Sequence, residues 1–195
     1  MSLIFIDVGG YEGQTLDEVI KPRWGFSKIY CLEPMPRQFQ VLLQKYSDME
    51  KVELLDYGLS DKTGIATIYG DNNIMEASIY ADKRDVNNSI ETVCEFIEAS
   101  VFIKSLGDNE IIMKLNCEGA ETIILQNLID TGTIWKLKNI MIDWDVRKIP
   151  SMQWSEGHIL SELRRIGFTH YSLCDEVMHG QTHQDRIANW LKGII

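Results

Sequence analysis

The sequence predicts an α/β fold, one domain over residues 1–195, with a mostly parallel sheet and helices on both faces. Three observations predict it. Short apolar runs of strand length recur at about 3–8, 28–32, 52–55, 111–115, 139–144 and 169–173. Stretches with helical spacing of apolar residues lie between most of them, as in a sheet built from strand–helix–strand units. Two of the runs end in a carboxylate beside a turn: Asp7 before Gly9, and Glu33 before Pro34.

The first strand, about 3–8, runs into Asp7-Val8-Gly9-Gly10-Tyr11-Glu12-Gly13, and a helix over about 13–20 stops at Pro22. Glycines in such a turn permit positive φ and close approach of a ligand to the backbone. A dinucleotide fingerprint reads Gly-x-Gly-x-x-Gly with a pyrophosphate on the helix N-terminus. Here the pattern is Asp7-x-Gly9-x-x-x-Gly13 with Tyr11 inside it, and Asp7 would repel a pyrophosphate. A carboxylate there suits a ligand carrying a cation, such as an ammonium or a sulfonium. An ordinary tight turn would also account for the glycines.

The second strand, about 28–32, ends in Glu33-Pro34, 20 residues after Gly13. That spacing fits a strand–helix–strand unit and places Glu33 beside the first turn, where it can accept hydrogen bonds from both hydroxyls of a ribose. Pro34 cannot continue the ladder, so the chain turns at that point. Pro36 opens a helix to about residue 46. Strand three, about 52–55, is followed by Tyr57-Gly58-Leu59-Ser60, the turn Asp61-Lys62-Thr63-Gly64 and an added edge strand over about 65–69.

Residues 71–89 are polar and read as a mobile loop over the site. The spacing over 90–102 predicts a helix. Strand four covers about 111–115 and is followed by a helix over 118–129. Strand five covers about 139–144, and a helix over 154–166 is closed by Gly167 as C-cap. Strand six covers about 169–173. At the C-terminus, Ile187, Trp190, Leu191 and Ile194 fit a helical stripe.

Composition narrows the function classes. With 45% hydrophobic and 25% charged residues, 195 residues suffice for one sizeable core. The net charge of −10 argues against a broad nucleic-acid surface. No apolar run is long enough for a membrane span and no signal-peptide pattern is seen, so a cytoplasmic location is expected. The cysteines, Cys31, Cys94, Cys117 and Cys174, are far apart and read as reduced core residues. His179 and His183 have the i, i+4 spacing of a helical metal site, but Gly180-Gln181-Thr182 between them reads as a turn, and no metal is expected.

The segment Lys114-Leu115-Asn116-Cys117-Glu118-Gly119-Ala120-Glu121 resembles the hallmark of FkbM-type methyltransferases, Lys-Ile-Asp-Val-Glu-Gly-Ala-Glu at the end of strand four. Gly58-Leu59-Ser60-Asp61-Lys62-Thr63-Gly64 is similar to the family's segment after strand three. With the glycine turn and Glu33-Pro34, these landmarks follow the family's order over about residues 3–146. The resemblance implies a Rossmann-like class I fold with seven strands, the last antiparallel. It also implies methyl transfer from S-adenosyl-L-methionine (SAM) to a hydroxyl oxygen of a small acceptor such as a saccharide.

Carried over to this chain, the resemblance places Asp7, Gly9, Gly10 and Gly13 at the amino acid portion of SAM and Glu33 at its ribose. Gly58 and Leu59 lie near adenine, and Asn116 and Glu118 line the junction with the acceptor. Asn116 stands where the family has Asp, and an amide cannot take a proton as a carboxylate does. Glu118 also reads as an ordinary helix-start residue. Asp143 and Asp145, two apart after strand five, are expected on one face, where like charge can raise one pKa toward a general base's range. Pairing with Arg147 or Lys148 would equally account for them.

Two other readings stand beside the methyltransferase. One is a SAM-binding module with a degenerate site, which Asn116 and the short chain suggest. The other is a nucleotide-dependent dehydrogenase, against which Tyr11 and the glycine spacing argue. The short chain also leaves room for a homodimer that completes the site.

Overall fold

The computed structural model describes residues 1–70 and 77–195. Its elements run β1 (Leu3–Val8), α1 (Leu16–Val19), β2 (Lys28–Leu32), α2 (Pro36–Tyr46), β3 (Val52–Leu55), β4 (Gly58–Ser60), β5 (Gly64–Tyr69) and β6 (Glu91–Glu98). Then come α3 (Ala99–Ser105), β7 (Glu110–Leu115), α4 (Glu121–Asp130), β8 (Leu137–Ile142), α5 (Ser155–Ile166), β9 (Tyr171–Leu173), α6 (Cys174–Val177) and α7 (His183–Lys192).

Six strands form a parallel sheet in the order β3-β2-β1-β7-β8-β9. The inner strands β1 and β7 are buried along almost their whole length, as their unbroken apolar runs require. Alternate residues face opposite layers. Val8, Leu32 and Leu115 pack with Phe102, Ile124 and Leu163 of α3, α4 and α5. Phe5, Ile29 and Ile112 pack with Leu16, Leu42 and Trp190 of α1, α2 and α7. The strand order reverses between β1 and β7, so the crevice beyond their carboxyl ends is a topological switch point. A second, three-stranded sheet in the order β4-β6-β5 stands beside that crevice.

Three expectations change. The central sheet has six strands among the described residues, and its last strand, β9, pairs parallel with β8. No antiparallel seventh strand follows. The C-terminal apolar residues recur at helical spacing, and α7 buries Ile187, Trp190 and Leu191, with the Trp190 ring 6.1 Å from that of Phe5. Thr182 and Asp185 cap this helix reciprocally.

The helix expected over 90–102 is instead β6 followed by α3. Within β6 the pattern has period two: Cys94 and Phe96 turn inward and Val93 outward, with β-branched Thr92, Val93 and Ile97 favouring a strand. The first helix shrinks to the single turn of α1, because Gly13 has φ +89 and closes a turn onto the Gly10 carbonyl. The edge strand expected over about 65–69 is β5, at the edge of the small sheet.

Candidate functional site

A cavity lies at the switch point, over the carboxyl ends of β1, β2 and β7. Its floor is the turn after β1. Gly9 has φ +82, and a Cβ there would sit 1.8 Å from the Asn116 carbonyl oxygen, so this backbone approach requires glycine. The N–H groups of Gly9 and Gly10 both donate to the Leu32 carbonyl at 3.0 Å, which ties the turn to β2. Tyr11 follows at φ 48, a left-handed value uncommon outside glycine.

That conformation aims the Tyr11 N–H at Glu33. Glu33 Oε2 accepts it at 2.8 Å, and Oε1 accepts the Met35 N–H at 2.9 Å. Glu33 is buried at the cavity wall. Burial pushes its carboxyl up to about 7, while the two backbone donors pull the other way. A carboxylate has about four acceptor sites, so two such bonds leave capacity for a diol presented from the cavity.

One wall is apolar. Gly58 and Leu59 line it with Met35, Ile68, Ile79 and Phe96. A Cβ on Gly58 would lie 2.6 Å from the Phe96 ring, so glycine lets the ring close down on β4. Ile68 and Phe96 come from the small sheet. Sequence reasoning missed Phe96 because it placed 90–102 in a helix; the inward alternation of Cys94 and Phe96 was the available signal.

The opposite end is polar. Asn116 lines the cavity just past β7, and its Oδ1 is buried with no hydrogen-bond partner among the described residues. Glu118 also lines it, on a backbone at φ 57. Its carbonyl accepts the Ser78 hydroxyl at 2.6 Å. Its carboxyl pairs with Lys83 and faces Asp145, and Asp145 in turn pairs with Lys148. Burial and then the Asp145 charge push the Glu118 carboxyl up to about 7 against the pull of Lys83.

Glu121 opens α4 beneath this group. Its Oε1 accepts the N–H groups of Cys117 and Gly119, and burial pushes its carboxyl up to about 7 as well. The loop expected over the site falls partly outside the described residues, at 71–76. Of the remainder, Ala77, Ser78 and Ile79 line the cavity. Further along, Asp82 accepts both the N–H and the hydroxyl of Ser151.

Other predicted residues stand elsewhere. Asp7 points to the face opposite the cavity, where its Oδ1 takes the Lys114 ammonium at 3.0 Å, both side chains being buried. Gly10 packs against the Cys31 sulfur and Gly13 against the Tyr46 ring, so their missing side chains make room for protein. Asp143 and Asp145 do not share a strand face, because β8 ends at Ile142. Asp143 faces Cys174 and Lys114, whereas Asp145 lies by Glu118 and pairs with Lys148. Arg147 pairs with Glu156 and Asp175 instead.

His183 begins α7 and bonds the Thr15 hydroxyl, while His179 lies before the helix. Among the described residues no group of three His, Cys, Asp or Glu side chains is placed to hold a metal ion. No helix among them is long and apolar enough to cross a membrane.

Against this geometry stand the known proteins. No protein-family model and no curated protein matches the chain. Among solved structures, the fold is similar to the crystal structure of Methyltransferase FkbM from Methylobacillus flagellatus KT, with a TM-score of 0.50 and 18% sequence identity. The match covers 82% of this chain and 37% of that one. The chain has a methyltransferase fold. At this identity the likeness is one of fold, and the chain spans well under half the length of the structure it matches.

Proposed function

We propose that the chain is a SAM-dependent methyltransferase that moves a methyl group to a hydroxyl oxygen of a small acceptor, such as a saccharide. The observation that carries this reading is Glu33. It is a buried carboxylate at the end of β2, held by two backbone N–H groups, facing a switch-point cavity in a fold similar to a methyltransferase.

The residues present fit SAM. Glu33 takes the ribose hydroxyls. Gly58 and Leu59, with Ile68 and Phe96, take the adenine on the apolar wall. The amino acid end rests on the turn at Gly9, which Asp7, Gly10 and Gly13 shape from behind. Asn116, whose buried Oδ1 lacks a partner among the described residues, and Glu118 line the acceptor end. SAM supplies a methyl group on a good leaving group, so the chain's main task is alignment. Proton removal from the hydroxyl falls to the carboxylates at that end.

The test is transfer of a labelled methyl group from SAM to a panel of hydroxylated acceptors, mono- and oligosaccharides included. Label on an acceptor oxygen supports the proposal. SAM binding without transfer to any acceptor makes the chain a non-catalytic SAM-binding module. Absence of both overturns the reading.

A further inference from the structure

We infer that Glu118 and Asp145 act as one proton-accepting carboxyl pair at the acceptor end, with Lys83 as the positioning residue that holds Glu118 in it. The inference rests on the methyltransferase reading. As the acceptor oxygen forms its bond to the methyl carbon and the sulfur–carbon bond breaks with its electron pair left on sulfur, the hydroxyl proton passes to Glu118.

Geometry carries this. Glu118 is one of three non-glycine residues with positive φ among the described residues, and such strain persists where surroundings enforce it. Here the enforcement comes from the Ser78 hydroxyl on its carbonyl and from Gly119 at φ +116, where a Cβ would meet Ile149 at 2.3 Å. The result aims one carboxyl from the turn after β7 at another from the turn after β8. Two carboxyls that face each other across such a turn can hold one proton between them.

The Lys83 side chain is fully buried and the Asp145 side chain nearly so, while Glu118 keeps 21% exposure toward the cavity. Among the described residues, the groups facing Glu118 are Lys83 from the 77–90 segment, Asp145 and Lys148 from the turn after β8, and Cys117 and Glu121 around its own turn. A buried ammonium on one carboxyl and a half-exposed one on the other favour the ionised form of Glu118, which the like charge of Asp145 alone resists. Lys83 comes from outside the hallmark segment and carries no motif, so sequence gave no pointer to it.

The experiment is calorimetric titration of the full chain with SAM and with S-adenosylhomocysteine (SAH), in buffers of different ionisation enthalpy, across pH 6–8. The two ligands differ in the methyl group and its positive charge. A cation beside Glu118 favours its ionised form, so SAM should release more protons than SAH, by about half a proton or more near pH 7. Contributions from Glu33 are common to both ligands and cancel.

Glu118→Gln should abolish the difference. Asp145→Asn should move its midpoint to lower pH and Lys83→Gln to higher pH, opposite displacements that a general loosening would not produce. Equal proton release by the two ligands, or displacements in one direction, would overturn the inference while leaving the cofactor site intact. Failure of the wild type to bind either ligand would overturn the methyltransferase reading and this inference with it.

Discussion

Tyr11 donates its backbone N–H to Glu33 Oε2 at 2.8 Å from a left-handed conformation, φ 48. The turn after β1 and the carboxylate after β2 are therefore one unit: the strain of the turn is spent on orienting Glu33. Tyr11 belongs to none of the apolar core clusters. Tyr11→Gly keeps the N–H and relieves the φ, against a gain in unfolded-chain entropy, so stability should change by less than about 1 kcal/mol. Tyr11→Pro removes the donor and forbids the φ, and should cost about 3 kcal/mol or more. Urea unfolding of the two variants reads the contrast; equal effects would contradict this account of the turn.

Gly9→Ala tests the close approach of the turn to β7. The added Cβ would meet the backbone oxygen of Asn116 at 1.8 Å on a residue at φ +82. Neither neighbour is a flexible side chain, so the turn must shift. A loss of about 3 kcal/mol or more, seen as a lowered Tm, is expected. A Tm within a degree or two of wild type would mean that the turn gives way easily.

Lys114→Met isolates the buried Asp7–Lys114 pair. Removing one partner leaves an uncompensated charge behind the sheet, which costs about 3–5 kcal/mol. Adding Asp7→Asn removes the stranded charge and should recover part of the loss. The double-mutant cycle in urea checks the sign; a double variant worse than the sum of the singles would refute the pairing.

Stability of the ligand-free chain should fall as pH rises toward 8. Glu33, Glu118 and Glu121 are each raised from 4.5 to about 7. Below 4.5 folded and unfolded states are both protonated at these groups. Between 4.5 and about 7 the folded state binds more protons, so the stabilisation they provide is lost across that window. Glu98, held low first by Ser100, and Asp185, held low first by Thr182, act in the opposite sense in acid. Thermal unfolding should therefore peak near pH 4.5, at the foot of that window. Glu121→Gln should flatten the descending limb; a Tm that keeps rising to pH 8 would contradict these burial effects.

What could be read in the sequence was local. The strand ending in Glu33-Pro34, the glycine turn at Gly9 and the Gly167 cap each follow from a few adjacent residues, and Gly167 has the expected left-handed φ of +76. What could not be read was partnering across the chain. Asp7 looked free for a ligand, yet Lys114, 107 residues away, neutralises it on the far side of the sheet. Asp143 and Asp145 looked like a pair on one face, but the strand stops at Ile142 and sends them to different neighbours. Glu118 finds Lys83 through a segment whose polarity gave no register. The strand period of β6 was masked by its charged outward residues, and with it the apolar wall formed by Phe96 was missed.

The central claim is a SAM site anchored on Glu33, and calorimetric titration with SAM of wild type and Glu33→Ala tests it most directly. The account predicts saturable one-site binding by wild type. It predicts roughly 10- to 100-fold weaker binding by the variant, the loss expected for hydrogen bonds to a buried carboxylate. Equal affinity in the two proteins would place the ligand elsewhere, and no binding by wild type would contradict the claim outright.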